Sequence, residues 1–492
     1  MSNFLVRKVA VLGAGVMGAQ IAAHCINARI PVLLFDLPAK EGDKNGIALR
    51  AIEALKKLNP APLGDKDEAG LIVAANYDDD LEALRGCDLV IEAIAERLDW
   101  KHDLYAKVAP FLGAQAIFAS NTSGLSIASL ADGFSAELKQ RFCGVHFFNP
   151  PRYMHLLELI PTAATRPEIL DQLESFLTTT LGKGVVRAKD TPNFIANRIG
   201  TFGLLSTFIE ADKYGLSADV VDDLTGAKLG RAKSGTFRTL DIVGLDTAGH
   251  VIKTMQDKLG DDPFVAAFKT PEPLAKLVAA GALGQKSGGG FYKKVGRDIK
   301  RFDFKSGEYV ASGAKADELV GRILKEKDPA KRLKALHDSS HPQAKFLWAI
   351  FRDSFHYIAV HLETIAETAR DVDFAMRWGY GAKLGPFESW QAAGWKQVAE
   401  WVKADIDAGE ALSSAPLPAW VFAGPVMDNA GVHTAQGSWS PARQAYQARI
   451  ALPVYERQPF RASLLGDAAA DGSKAGTTVF EDDSVRLWHQ GD

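Results

Sequence analysis

Val9-Ala10-Val11-Leu12-Gly13-Ala14-Gly15-Val16-Met17-Gly18 organises the rest of this chain. Residues 9–12 are apolar and short enough for a fully buried parallel strand. They run directly into Gly-x-Gly-x-x-Gly. Ile21, Ala22, Cys25 and Ile26 then recur at helical spacing, and a second apolar run, Val32-Leu33-Leu34-Phe35, ends in Asp36. Gly13 lets the chain turn sharply out of the strand. Gly15 lets a pyrophosphate approach the backbone, and Gly18 lets the helix lie close on the sheet. The helix start, with Val16 and Met17 in its first turn, offers free N–H groups and partial positive charge to phosphates. Asp36 can accept hydrogen bonds from both ribose hydroxyls, and its charge repels a 2′-phosphate. A glycine motif alone is weak, because glycine turns occur in unrelated α/β proteins. With the strand before it, the helix after it and an acid about 20 residues on, the pattern predicts binding of NAD(H) rather than NADP(H).

Working outward, the 492 residues predict more than one domain. Apolar and charged fractions are those of a soluble globular protein. The formal net charge is −3 and no long basic block occurs, which argues against nucleic acid and anionic membrane as partners. No apolar stretch nears the roughly 20 residues of a membrane span. Met1-Ser2-Asn3-Phe4 leads straight to the first strand, with no room for a signal peptide. Cys25, Cys87 and Cys143 lack metal-like spacing. They read as buried thiols of a reducing compartment, so a cytoplasmic protein without a metal is expected.

Strand-like runs at 71–74, 88–94, 116–123, 142–150, 156–160 and 185–186 alternate with helical stretches at 39–58, 81–84 and 101–111. The alternation predicts an α/β fold, a Rossmann-type doubly wound parallel sheet forming an NAD-binding domain over 1–188. Gly13, Asp36, Glu96 and Ser123 fall at strand ends and His146 lies late in its strand, where such sheets bind ligands. After Lys189-Asp190-Thr191-Pro192 the signal turns helical. Ile195, Ile199, Phe202, Leu205 and Ile209 share one face of a long helix, with Asp190 or Thr191 as its expected cap. Two all-α repeats are expected: a helical substrate and interface domain over 189–295, and a second helical repeat over 296–415. Gly226-Ala227-Lys228-Leu229-Gly230 recurs as Gly381-Ala382-Lys383-Leu384-Gly385, each time after a helix with an apolar face. A hairpin is expected around Ser306-Gly307 and one more helix over 441–452. Residues 416–492 read as a linker, small and polar at 468–476, and the opening strands of a further domain.

Oxidation of an alcohol by a nicotinamide needs a base for the hydroxyl proton, and histidine suits this near neutral pH. His146 follows an apolar strand, and Glu158, twelve residues on, lies inside another. An acid in an apolar strand is costly unless paired. If the two strands are neighbours, Glu158 can hold the His146 ring. Alone, His146 would more often be a satisfied core histidine and Glu158 a sheet-edge charge; together, behind a nucleotide fingerprint, the catalytic reading leads. Ser123 and Asn197 can bind a substrate oxygen, although such residues more often cap or solvate helices.

Gly13-Ala14-Gly15-Val16-Met17-Gly18, Ser120-Asn121-Thr122-Ser123, His146-Phe147-Phe148-Asn149-Pro150 and Lys189-Asp190-Thr191-Pro192 with Asn197-Arg198 resemble the L-3-hydroxyacyl-CoA dehydrogenase family, in its order and approximate spacing. The likeness covers roughly residues 5 to 295. It implies His146 as general base, Glu158 as its partner, and Ser123 and Asn197 at the substrate oxygen. It also implies Glu96, Lys101, Ser123 and Asn149 around the nicotinamide and ribose. The implied substrate is an (S)-3-hydroxyacyl-CoA, oxidised in fatty-acid β-oxidation. Residues 310–410 resemble the second helical repeat of the long members, which packs on the first within one chain. That implies a monomer with an intrachain pseudo-dimer, while a homodimer stays open. Long members with the dehydrogenase first continue into an enoyl-CoA hydratase domain, so this chain resembles the dehydrogenase part of such a bifunctional enzyme. Gly230-Arg231-Ala232-Lys233-Ser234-Gly235-Thr236-Phe237 departs from the usual Gly-Pro-Phe, which the second copy keeps at 385–387. Two other readings remain: a dehydrogenase of small free 3-hydroxy acids, needing a cationic clamp and no CoA site, and a non-catalytic NAD-binding protein on this scaffold.

Overall fold

The computed structural model describes residues 5–458, 463–465, 477–481 and 485–489. The linker expected at 468–476 lies outside them. Strands β1 (Val9–Leu12), β2 (Val32–Asp36), β3 (Ile72–Asn76), β4 (Leu89–Glu92), β5 (Ile117–Ser120), β6 (Phe142–Phe147), β7 (Leu156–Pro161) and β8 (Gly184–Arg187) form one sheet, ordered β3-β2-β1-β4-β5-β6-β7-β8. The inner strands are mainly apolar on both faces because both faces are covered. Val9 and Val11 face α1 (Val16–Asn27) and α2 (Gly46–Leu55). Ala10 and Leu12 face the other way, into the core that holds α3 (Leu98–Val108) and α4 (Ile127–Leu130), with α5 (Ala136–Lys139) at its margin. Helix α6 (Pro167–Thr179) shares the α1 face and carries the chain from β7 to β8.

The sheet departs from an all-parallel one. β1 to β6 are parallel, but β7 runs antiparallel to β6 and β8 parallel to β7. A parallel return needs a crossover of about a dozen residues or more. Residues 148–155 are too few, so the chain doubles back. The helix expected over 39–58 is confined to α2, because Gly42 takes a left-handed φ of 74° and breaks its start.

The helical region comprises α7 (Ala196–Lys213), α8 (Ala218–Thr225), α9 (Phe237–Val243), α10 (Leu245–Lys258), α11 (Glu272–Ala279), α12 (Glu318–Leu324), α13 (Pro329–Asp338), α14 (Pro342–Ile365), α15 (Ala369–Tyr380), α16 (Pro386–Ala392) and α17 (Trp395–Asp407). The hairpin expected at 302–310 is part of a small sheet of β9 (Tyr292–Val295), β10 (Asp298–Phe302) and β11 (Tyr309–Ala311). The same cap appears in both halves. Asp222 of α8 accepts from the N–H groups of Phe237 and Arg238 at the start of α9, at 2.6 and 3.0 Å. Asp373 of α15 accepts from those of Phe387 and Glu388 at the start of α16, at 2.8 and 3.0 Å. The third partner of Asp222 is the Tyr292 hydroxyl at 2.7 Å, and that of Asp373 is Nε2 of His433 at 2.6 Å. The two Gly-Ala-Lys-Leu-Gly segments touch, Lys383 N–H donating to the Gly230 carbonyl at 2.8 Å.

α7 and α14 lie side by side. Phe202 stacks on Tyr357 with ring centroids 3.9 Å apart. Below them Arg352 is buried between Asp353 at 2.8 Å and Glu210 at 3.0 Å. Wedged between the sheet and the second half, α7 is buried around most of its circumference; Ile209, expected on the apolar face, is exposed.

Two boundaries are corrected. The expected helix at 441–452 is instead the end of a three-stranded sheet of β12 (His433–Thr434), β13 (Gly437–Ser440) and β14 (Ala445–Gln447). Trp439 and Tyr446 pair across it at 5.7 Å, and cross-strand aromatic packing overrides local propensity. Of the stretch expected as a linker, residues 417–447 instead pack as ordered structure. Trp395 donates to the Val421 carbonyl at 3.0 Å and Gln391 to that of His433 at 2.9 Å, so this stretch completes the second helical unit. Beyond it, β15 (Thr477–Glu481) and β16 (Arg486–His489) pair antiparallel.

Candidate active site

Because β1, β4, β5 and β6 are parallel, their carboxyl ends share one edge, and the candidate residues gather there. Gly13 has φ 106°, closed to most side chains, and a Cβ on Gly18 would lie 1.8 Å from the Gly13 carbonyl oxygen. Around Gly15 a Cβ would meet nothing within 4 Å, so open space stands where a pyrophosphate would lie. No side chain caps α1 and no acid occupies its first turn, where Val16 is exposed and Met17 half-buried, leaving N–H groups for an anion. Asp36 bends over the loop, its Oδ2 accepting from Ala14 N–H at 2.6 Å. The cradle fits a dinucleotide with an unphosphorylated ribose.

His146 and Glu158 are register partners across β6 and β7. Nδ1 of His146 lies 2.8 Å from Oε2 of Glu158, both side chains being buried. With a carboxylate there, Nδ1 carries the ring proton and Nε2 keeps its lone pair free. The other carboxylate oxygen accepts from Ile195 N–H at 3.1 Å and Ala196 N–H at 2.8 Å. Glu158 thus caps α7 from a distance, and the helix dipole favours its charge. The expected cap Asp190 serves α4 instead, accepting from the hydroxyl of Ser126 and the N–H groups of Ile127 and Ala128 at 2.8–2.9 Å. Phe148 and Phe194 flank the imidazole with centroids at 4.4 and 5.6 Å. Asn193 and Phe194 both take left-handed backbone, φ 63° and 51°. That strained turn, of order 1–3 kcal/mol per residue, swings the chain into α7, where Asn197 follows the Ala196 N–H that donates to Glu158.

A second buried group was not singled out from the sequence. Glu92, at the end of β4, accepts from Lys101 Nζ at 2.5 Å, Tyr105 hydroxyl at 2.6 Å, Ser120 hydroxyl at 2.7 Å and Ile94 N–H at 2.7 Å. The argument that picked Glu158, an acid inside an apolar strand, applies equally to Glu92. Lys101 is buried and lies 3.7 Å from Glu96. Glu96 in turn gathers the turn after β5: it accepts from the Thr122 hydroxyl, from Ser123 N–H at 2.8 Å and from Gly124 N–H at 3.0 Å. Burial works to raise the Glu96 carboxyl, but Lys101 and these three donors hold it below its usual value. Ser123 is exposed on that turn, and Gly124 packs against Asn193.

Asn149 lies in the β6–β7 turn and its Oδ1 accepts from Gln20 of α1 at 3.3 Å. Buried Lys183 fastens the same turn, donating to the carbonyls of Pro151 and, at 2.9 Å, Met154; burial pulls its ammonium down to about 8. Asn121 ties β5 to β6, accepting from Phe147 N–H at 2.9 Å. His146 and Glu158 meet between the sheet edge and the start of α7, with Ser123 on the turn after β5 and Asn197 in the first turn of α7. Lys101, expected near the ribose, lies beneath the surface as a partner of Glu92.

Residues 8–191 match the family model described as 3-hydroxyacyl-CoA dehydrogenase, NAD binding domain, and residues 194–294 the one described as 3-hydroxyacyl-CoA dehydrogenase, C-terminal domain. A probable 3-hydroxyacyl-CoA dehydrogenase of Bacillus subtilis is 42% identical over 431 residues, 82% of this chain and 54% of that protein. One of Deinococcus radiodurans is 49% identical over 292 residues, 59% of this chain and 83% of that protein. The chain spans about half the length of several relatives it matches. Among solved structures, 3-hydroxybutyryl-CoA dehydrogenase of Escherichia coli K12 covers 82% of this chain and 95% of its own with a TM-score of 0.62; at 23% identity this is a likeness of fold. Among the described residues no helix is long and apolar enough to cross a membrane.

Proposed function

Because the chain belongs to the 3-hydroxyacyl-CoA dehydrogenase family, we propose that it oxidises (S)-3-hydroxyacyl-CoA to 3-ketoacyl-CoA, as a step of fatty-acid β-oxidation. The observation that carries this reading is the buried His146–Glu158 pair on the same sheet edge as the glycine loop. When bound, NAD supplies the acceptor for the hydride that leaves C3. His146 takes the C3 hydroxyl proton at Nε2. Glu158 keeps Nδ1 protonated and stabilises the imidazolium that results. The Ser123 hydroxyl and the Asn197 amide hold the substrate oxygen. Glu96 and Asn149 shape the nicotinamide and ribose side, with Lys101 behind Glu96. In the reverse direction His146 returns the proton to the alkoxide.

The test is NADH oxidation with acetoacetyl-CoA, and NAD reduction with 3-hydroxybutyryl-CoA. Turnover of free 3-hydroxybutyrate with none of the thioester would favour the free-acid reading, and tight NAD binding without turnover the non-catalytic one. Asp36→Ala should lower discrimination of NAD over NADP by about 10- to 100-fold, the scale of one charged hydrogen bond worth roughly 1.5–3 kcal/mol. A titration finding the ratio of the two affinities unchanged would remove that role from Asp36.

The second helical unit lies against α7 as a partner subunit would, which supports a monomer with an intrachain pseudo-dimer. Three buried free thiols support a reducing compartment, the cytoplasm.

A further inference from the structure

The second helical unit does more than cover α7; its helix α15 ends over Gly200, one turn from Asn197. We infer that Tyr380, the last residue of α15, walls the acyl end of the substrate site and limits the chain length that fits. This inference rests on the proposed function.

The seam between α15 and the active-site edge is built for close approach. A Cβ on Gly184 of β8 would lie 2.5 Å from Cε3 of Trp378. One on Gly379 would lie 2.7 Å from Cδ2 of Leu156 and 3.6 Å from Cβ of Ala196. One on Gly200 would lie 2.0 Å from Cζ and 2.1 Å from Oη of Tyr380. Glycine on both sides lets α15 settle onto α7 and the β7–β8 margin, and the phenol end of Tyr380 lies over the bare backbone of Gly200.

Gly200 is one turn beyond Asn197, so the two share a side of α7. Asn197, Gly200 and Leu204 are all half-buried, a partly covered strip of α7. Tyr380 stands on this strip and keeps 40% of its own surface. Its surroundings suit an uncharged chain. Leu156 and Ala196 lie beside the adjoining Gly379, and burial of the phenol, with the charge of Glu158 added, raises the Tyr380 hydroxyl. An aliphatic tail here would face an aromatic ring.

The experiment compares kcat/KM for 4-carbon and 10-carbon 3-ketoacyl-CoA in the full chain. Tyr380→Ala should raise the 10-carbon value relative to the 4-carbon one by about 10-fold, the scale of a few apolar contacts in a pocket, with KM for NADH unchanged. General loosening would lower both values together and would not move their ratio upward. Gly200→Ala should displace the ring and change the ratio in the unaltered background but not in Tyr380→Ala. An unchanged ratio in an active, folded Tyr380→Ala enzyme overturns the inference. If that variant does not fold, Tyr380→Leu is judged by the same ratio. An unaltered chain that turns over no acyl-CoA would overturn the proposed function and this inference with it, which keeps the two failures apart.

Discussion

His146→Gln is expected to lower kcat by about 10²–10⁴-fold, the usual contribution of a positioned general base, while NADH affinity stays nearly constant. Glutamine has similar reach and can still donate to Glu158, so the carboxylate keeps a partner besides Ile195 and Ala196. It has no basic lone pair to take the hydroxyl proton. The glycine loop and Asp36 belong to β1, α1 and β2, remote from β6 in the sheet order, so the cofactor cradle is left intact. Steady-state rates and a fluorescence titration with NADH separate the two effects. A variant turning over at the parent rate would withdraw the base assignment; one that also lost NADH binding would mean the histidine holds the fold.

Lys101→Met is expected to cost about 3–5 kcal/mol of stability, the range for stripping one partner from a buried ion pair. The substituted side chain fills the space of the lysine stem but leaves Glu92, fully buried, with neutral donors only. Glu96 loses its nearest cation too, so its carboxyl should rise from the depressed value, and the Ser123 turn that it gathers should loosen. Chemical denaturation measures the loss. The double variant Glu92→Gln with Lys101→Met should recover part of it, because no unpaired charge is then buried. Equal stability of Lys101→Met and the parent chain would show that the pair contributes nothing net.

The fingerprint around Gly13 was legible because every glycine there answers a steric demand of its own strand or helix. The match of His146 to Glu158 was legible too, since an acid in an apolar strand demands a cation or donors. Glu92 satisfied the same rule and was passed over because no histidine pointed to it. The reversal of β7 was not legible: a run of apolar residues carries no direction, and the brevity of 148–155 was the sole clue. Asp190 looked like the cap of the nearest helix, but it caps α4, more than sixty residues earlier in the chain, and such long-range capping leaves no local trace. The strand at 445–447 was hidden because it and its hairpin partner 437–440 are only three and four residues long, too short for an alternating pattern to show.

The reversal at 148–155 also carries an evolutionary constraint. Side chains along a strand alternate between faces, so one residue inserted or removed in that turn would send either the imidazole or its carboxylate to the opposite side of the sheet. Most connecting segments tolerate drift in length. This one is expected to vary in composition yet hold its count, apart from changes in pairs, for as long as the dyad matters to the cell.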